Sequence, residues 1–157
     1  MIDFFCSGRA PIMYRNMAVA FDESPEAKRA LKTAIQLAKT LGTGLRILTV
    51  MEKLPAYTAY ASGADDPSLS AILEEDRKKF YEELQAGAVK AAKEDGVEPI
   101  SHLLDGETVS SLVDCICQQK VDLLVIGLHK RQNLVSRMWS TVYTIAQNVP
   151  CSVLGVH

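Results

Sequence analysis

Asp122-Leu123-Leu124-Val125-Ile126-Gly127 decides the fold. The apolar run inside it has no polar alternation and carries β-branched residues, so as a strand it must be covered on both faces. That is the mark of a parallel sheet with helices in front and behind. A glycine at the carboxyl end of such a strand, with hydroxyls at the next helix start, is where these sheets bind phosphate-bearing ligands. Here the basic loop His129-Lys130-Arg131 follows, and Ser140-Thr141 opens a helical stretch running roughly from Trp139 to Asn148. Pro150-Cys151-Ser152-Val153-Leu154-Gly155-Val156 then closes the chain as a further apolar strand.

Working outward, strands and helices alternate. Met17-Ala18-Val19-Ala20-Phe21-Asp22 reads as the first strand, and Ser24-Pro25-Glu26 begins a helix well. Serine caps, proline suits the first helical position, and an acid suits the first turn. Ala27, Ala30, Leu31, Ala34, Ile35, Ala38 and Leu41 form a low-bulk apolar stripe fitted to close packing on a sheet. Leu45 to Val50 is the second strand, and a loop rich in small and polar residues runs from Glu52 to Pro67. A long helix is expected from Ser68 to Asp95, with Leu73, Phe80, Leu84, Ala88 and Ala92 on one face. Pro99 to Leu104 is the third strand, and Val109, Leu112, Val113 and Ile116 mark the next helix. This alternation, with right-handed crossovers, predicts a three-layer α/β sandwich.

At 157 residues the chain is long enough for one well-filled core. Its net charge of −2 gives no whole-molecule drive toward nucleic acid or an anionic membrane. The apolar runs are strand-length, well below the ~20 residues of a membrane helix, and Met1 to Cys6 lacks the pattern of a secretory signal. Cys6, Cys115, Cys117 and Cys151 have neither metal nor disulfide spacing. Cys115 and Cys117 point about 200° apart on a helix, so reduced thiols in a cytoplasmic protein are expected.

The ordered set of motifs resembles the universal stress protein family from Met13 onward. The residues carrying the likeness are Met13 to Asn16 leading into a strand ending at Asp22, Ser24 before an alanine-rich helix, and Leu48-Thr49-Val50. Asp105-Gly106-Glu107, Asp122 to Gly127 and Val149 to Val153 complete it. Met13 resembles the family's usual start, so residues 1–12 read as a flexible upstream extension or as the product of a misassigned start, and 13–157 as the domain. The resemblance implies an adenine-nucleotide-hydrolase-like fold: a five-stranded parallel sheet in the order 3-2-1-4-5. It also implies a homodimer, joined here through strand five, Cys151 to Val156, whose apolar edge would otherwise stay unpaired. In one subgroup it further implies an ATP site between strands one and four.

That subgroup carries Gly-x-x-Gly, nine residues, then Gly-Ser/Thr. Laid from Gly127, those positions fall on Gly127, Lys130, Ser140 and Thr141, so two of the three glycines are missing. Glycine lets backbone N–H groups approach phosphate oxygens closely, a freedom that Lys130 and Ser140 lack. Trp139-Ser140 is an alternative alignment for the Gly-Ser pair. The departure resembles the subgroup that does not bind ATP. In favour of a ligand, Asp22 and Val50 sit where family members contact adenosine. His129, Lys130, Arg131 and Arg137 place side-chain cations beside the same crevice. The plainer alternatives are a solvated loop and, for Thr141, a helix-start hydroxyl.

His102, in an edge strand, reads as a surface or satisfied histidine, and Ser110-Ser111 as local hydrogen-bonders. No nucleophile, base and orienter can be assembled. The favoured expectation is a dimeric, non-enzymatic regulatory module with a degenerate nucleotide site and unidentified protein partners. It requires no cofactor. The alternative is a switch binding ATP or AMP, ATP with Mg, and turning it over slowly. A phospho-receiver is set aside because no lysine follows Lys130.

Overall fold

A computed structural model describes residues 13–52, 67–129 and 141–157. The element order is β1 (Asn16–Ala20), α1 (Pro25–Leu41), β2 (Gly44–Met51), α2 (Pro67–Glu94), β3 (Pro99–Asp105), α3 (Thr108–Gln118), β4 (Leu123–Gly127), α4 (Thr141–Asn148) and β5 (Ser152–Val156). The expected extension, residues 1–12, lies outside the described residues, as does the predicted start of the last helix at Trp139.

All four strand pairings are parallel and the sheet runs β3-β2-β1-β4-β5, as expected. β1 and β4 are central because their side chains tolerate no solvent: Met17, Ala18, Val19, Leu124 and Val125 are fully buried. Alternation along the strands divides the core into two layers. On one face Met17, Val19, Leu45, Ile47, Leu123 and Val125 pack against α1 and the later turns of α2. On the other, Ala18, Leu48, Leu124 and Ile126 pack against Leu112, Cys115 and Ile116 of α3 and Ile145 of α4.

Small residues bring α1 close to the sheet, with Ala27, Ala30, Ala34 and Ala38 all buried. Its start follows the sequence reading: Ser24 is the cap, its Oγ accepting from Ala27 N at 3.1 Å, with Pro25 behind it. β1 ends two residues before Asp22, the strand end expected from the sequence. Phe21 N still donates to Leu48 O at 2.8 Å, but Asp22 leaves the ladder and its Oδ1 accepts from Ser24 N at 2.8 Å. An aspartate that turns its carboxylate back on the next amides closes a strand in favour of a helix start.

Asp122 is a latch rather than a strand residue. Its two oxygens accept from Arg15 N at 2.7 Å and Asn16 N at 3.0 Å, pinning the entry of β1 to the entry of β4. α2 departs from the expected continuous buried face. Ala88 and Ala92 are buried, whereas Leu73 and Phe80 are 37% and 48% exposed. Twenty-eight helical residues span about 42 Å, well beyond the reach of the neighbouring strands, so the early turns overhang the sheet.

Candidate functional site

β1 and β4 are adjacent, yet their following connections leave to opposite faces of the sheet, α1 to one and α4 to the other. Such a reversal opens a crevice at the carboxyl ends of the strands. The described residues form a cleft there of about 810 Å³. Asp22, Val50, Gly127, His129 and Thr141, all expected at a ligand site, line it. Lys130, Arg131 and Ser140, the other candidates, lie outside the described residues, as does Arg137.

Each candidate is placed by its element. Asp22 stands where β1 gives way to α1. Val50 is near the end of β2. The Leu48 carbonyl faces β1, accepting from Phe21 N, and ladder alternation turns the Val50 backbone the same way. β1 has ended by that level, so the Val50 amide and carbonyl face the cleft. Thr141 begins α4 and is exposed.

Gly127 has a role the sequence does not disclose. A Cβ there would lie 2.5 Å from the carbonyl carbon of Glu26, 2.7 Å from its oxygen and 2.8 Å from Ala27 N. The glycine therefore admits the first turn of α1 against the end of β4, whatever else it admits. Close backbone-to-backbone approach is one of the few needs only glycine meets.

His129 is engaged from the side. Its Nδ1 lies 3.1 Å from Glu26 Oε2 in the first turn of α1. The hydrogen bond from its own backbone N–H holds the Glu26 carboxyl below its ordinary range against desolvation, and Arg29 and His129 act in the same sense as that bond. The imidazole is thus partly tied to α1 rather than simply facing water.

The start of α3 is spent on an internal anion. Glu107 is its cap, accepting from Val109 N at 3.1 Å, Ser110 N at 2.8 Å and Ser110 Oγ at 2.8 Å. Those bonds, Ser110 first, hold its carboxyl below the ordinary value. Ser110 is accordingly the local hydrogen-bonder expected. Among the described residues Ser111 Oγ reaches only the Asp105 carbonyl, at 3.5 Å.

His102 corrects its expectation. It is half-buried, and its Nε2 is buried with no hydrogen-bond partner among the described residues. Desolvation, with Arg46 nearby, pushes its pKa down and keeps the ring neutral. Burial likewise pushes the Cys115 and Cys151 thiols up, away from thiolate chemistry.

Sequence reasoning missed Glu52, Tyr81 and Thr108, which also line the cleft. The Thr108 hydroxyl donates to Glu52 Oε1 at 3.4 Å. Behind them, Arg77 of α2 donates to Glu52 O at 2.8 Å and Met51 O at 3.3 Å. Only an arginine among the acids and lysines of a long helix hinted at it. No helix among the described residues is long and apolar enough to cross a membrane.

Known proteins are similar to this chain. The chain is 26% identical over 144 residues to universal stress protein A homolog 1 of Coxiella burnetii, covering 91% of this chain and 96% of that protein. It is 28% identical over 148 residues to universal stress protein YxiE of Bacillus subtilis, covering 92% and 99%. Among solved structures, a universal stress protein in complex with cAMP superposes with a TM-score of 0.70 at 24% identity, covering 92% of this chain and 97% of that one. The Archaeoglobus fulgidus universal stress protein in complex with dAMP gives 0.66 at 20% identity, covering 92% and 98%. An Arabidopsis thaliana family protein with AMP bound gives 0.66 at 16%, covering 90% of each chain. The model of the universal stress protein family matches residues 13–157. With that match spanning nearly the whole sequence, the chain belongs to the universal stress protein family.

Proposed function

We propose that this protein is a non-enzymatic regulatory module of the stress response, cytoplasmic and dimeric, that takes an adenine nucleotide weakly in the cleft between β1 and β4. The observation carrying this reading is the convergence of Asp22, Val50 and Gly127 on one cleft at the switch point. Structures of similar fold hold cAMP, dAMP and AMP. The base end of the cleft, built by the backbone of Val50 with Asp22 beside it, suits a nucleoside.

The phosphate end is weaker. Lys130 and Ser140 stand where close backbone approach needs glycine. Each charge-assisted hydrogen bond contributes about 1.5–3 kcal/mol, so losing two lowers affinity ~100-fold or more. Magnesium would arrive with the phosphates, since no three metal-ligating side chains converge among the described residues.

Calorimetric titration with AMP, cAMP and Mg·ATP tests this. We expect binding of the monophosphates and millimolar or no affinity for Mg·ATP, raised by Lys130→Gly together with Ser140→Gly. Low-micromolar Mg·ATP binding that collapses in Lys130→Ala and Asp22→Ala would replace it with the switch reading.

The dimer is proposed along β5. Ser152 N and the Val156 carbonyl face β4, so the alternate amides, at Val153 and Gly155, face the open edge. Val153→Pro removes one edge donor at a position an edge strand tolerates. Light scattering should then give a monomer mass where the parent gives a dimer; a monomeric parent sinks the interface.

A further inference from the structure

We propose that Arg77 sets the base specificity of the cleft: from α2 it holds Glu52 where that carboxylate receives the exocyclic amine of an adenine-type base. The inference rests on the nucleotide reading above. Arg77 has a side chain only 10% exposed, yet it belongs to the overhanging half of α2, where neighbouring side chains face solvent. Its burial comes from reaching the end of β2. One arm, Nη1, donates to the carbonyls of Met51 at 3.3 Å and Glu52 at 2.8 Å. The other edge, Nε and Nη2, is held by Glu74 Oε2 at 3.1 and 2.7 Å, with Asp105 Oδ1 3.9 Å away.

A guanidinium can serve both sides at once because its donors form a rigid fork; an ammonium cannot. The fork fixes the backbone of Glu52, and Thr108 Oγ1 steadies its carboxylate from α3 at 3.4 Å. Glu52 lies two residues beyond Val50 and lines the same cleft, as does Tyr81. A carboxylate only accepts hydrogen bonds. Beside a base anchored on the Val50 backbone, it therefore favours a donor at that edge of the base and rejects a carbonyl. Arg77 is a positioning residue here, since it does not itself line the cleft.

AMP and IMP separate the cases: IMP puts a 6-oxo acceptor where AMP has its 6-amino donor and carries a hydrogen on N1, so the Glu52 contribution is read from how the variants change the ratio. Calorimetry on the full chain should give AMP a preference of about tenfold or more over IMP, the effect of one hydrogen bond to a charged acceptor against one repulsion. Arg77→Met should bring the ratio close to one, and Arg77→Lys should restore part of it. Glu52→Gln keeps the backbone carbonyls that Arg77 holds, so it reports even where Arg77→Met fails to fold; it too should erase the preference. Equal binding of AMP and IMP by the parent overturns the inference and leaves the nucleotide reading standing. So does a preference that survives in Glu52→Gln or in folded Arg77→Met. Failure of the parent to bind either nucleotide removes both.

Discussion

Two of the helices that start at the cleft end of the sheet, α1 and α3, are finished differently. α1 is capped by the neutral hydroxyl of Ser24, with Asp22 bonded to the preceding amide and Gly127 pressed against its first turn. α3 is capped by a full charge, the Glu107 carboxylate, which takes the amides of Val109 and Ser110 together with the Ser110 hydroxyl. A helix N-terminus attracts anions through its free N–H groups and its dipole. At α3 the chain has supplied that anion itself, so the start of α3 offers an incoming phosphate little. At α1 the constraint is steric, and the helix is locked to β4 backbone against backbone. The same feature of helices is used for electrostatic closure in one place and for docking in the other.

The largest effect expected from this contrast is at the docked helix. Gly127→Ala drives a methyl into Glu26 and Ala27 backbone atoms that no rotamer change can move, and should cost about 3 kcal/mol. Urea denaturation checks it; a loss below about 1 kcal/mol would mean the first turn of α1 is free to shift.

Gly106, before α3, supplies the matching test. An added Cβ there meets only the Ser111 hydroxyl, at 2.6 Å, which can rotate away, so the penalty is mainly that of a left-handed backbone at φ 139°. Gly106→Ala should cost about 1–2 kcal/mol, less than Gly127→Ala. The reverse order would make the α3 start the more rigid of the two.

Smaller still is Ser24→Ala, which leaves the Ala27 amide without its acceptor at a cost of about 1 kcal/mol, readable in the same urea series.

The subtlest difference is in pH. Glu107 has its folded pKa held below the ordinary 4.5 by its three donors. Its contribution to stability is therefore complete above that ordinary value and lost as pH falls through the lowered folded one. Ser24 has no such dependence. The gap in urea midpoint between the parent and Glu107→Gln should close as pH is taken from neutral to below 4.5, while that for Ser24→Ala should not respond through this group. A Glu107→Gln gap constant in pH would mean the cap works without its charge.

How much of this was legible beforehand depended on distance along the chain. The cap at Ser24, the proline behind it and the glycine after α1 act within a few residues, and the helix bounds follow from them. The apolar runs at Met17 to Val19 and Leu123 to Ile126 announce central strands for a similar reason: composition alone demands two-sided cover. Gly127 was legible as a site candidate because a glycine at a strand end is; Asp22 and Val50 were legible through the family likeness. His102 Nε2, without a hydrogen-bond partner among the described residues, was not, since whether an edge-strand imidazole finds a partner depends on what packs over it. The overhang of α2 was equally hidden, because the helical period continues past the point where the sheet stops.

By itself, then, the sequence determined the alternation of strands and helices, which strands are central, the order of the sheet through its family likeness, and the crevice where a ligand would go. These depend on local capping chemistry and on the apolar content of short runs. Only the tertiary structure decided what Gly127 is packed against, that Glu26 would meet His129, and that Arg77 would reach under the end of β2 to Glu52. Those contacts join residues 25 to about 100 positions apart. Their partners are chosen by how closely α1 and α2 settle on the sheet, a distance that the summed packing of both core layers sets and no local pattern encodes.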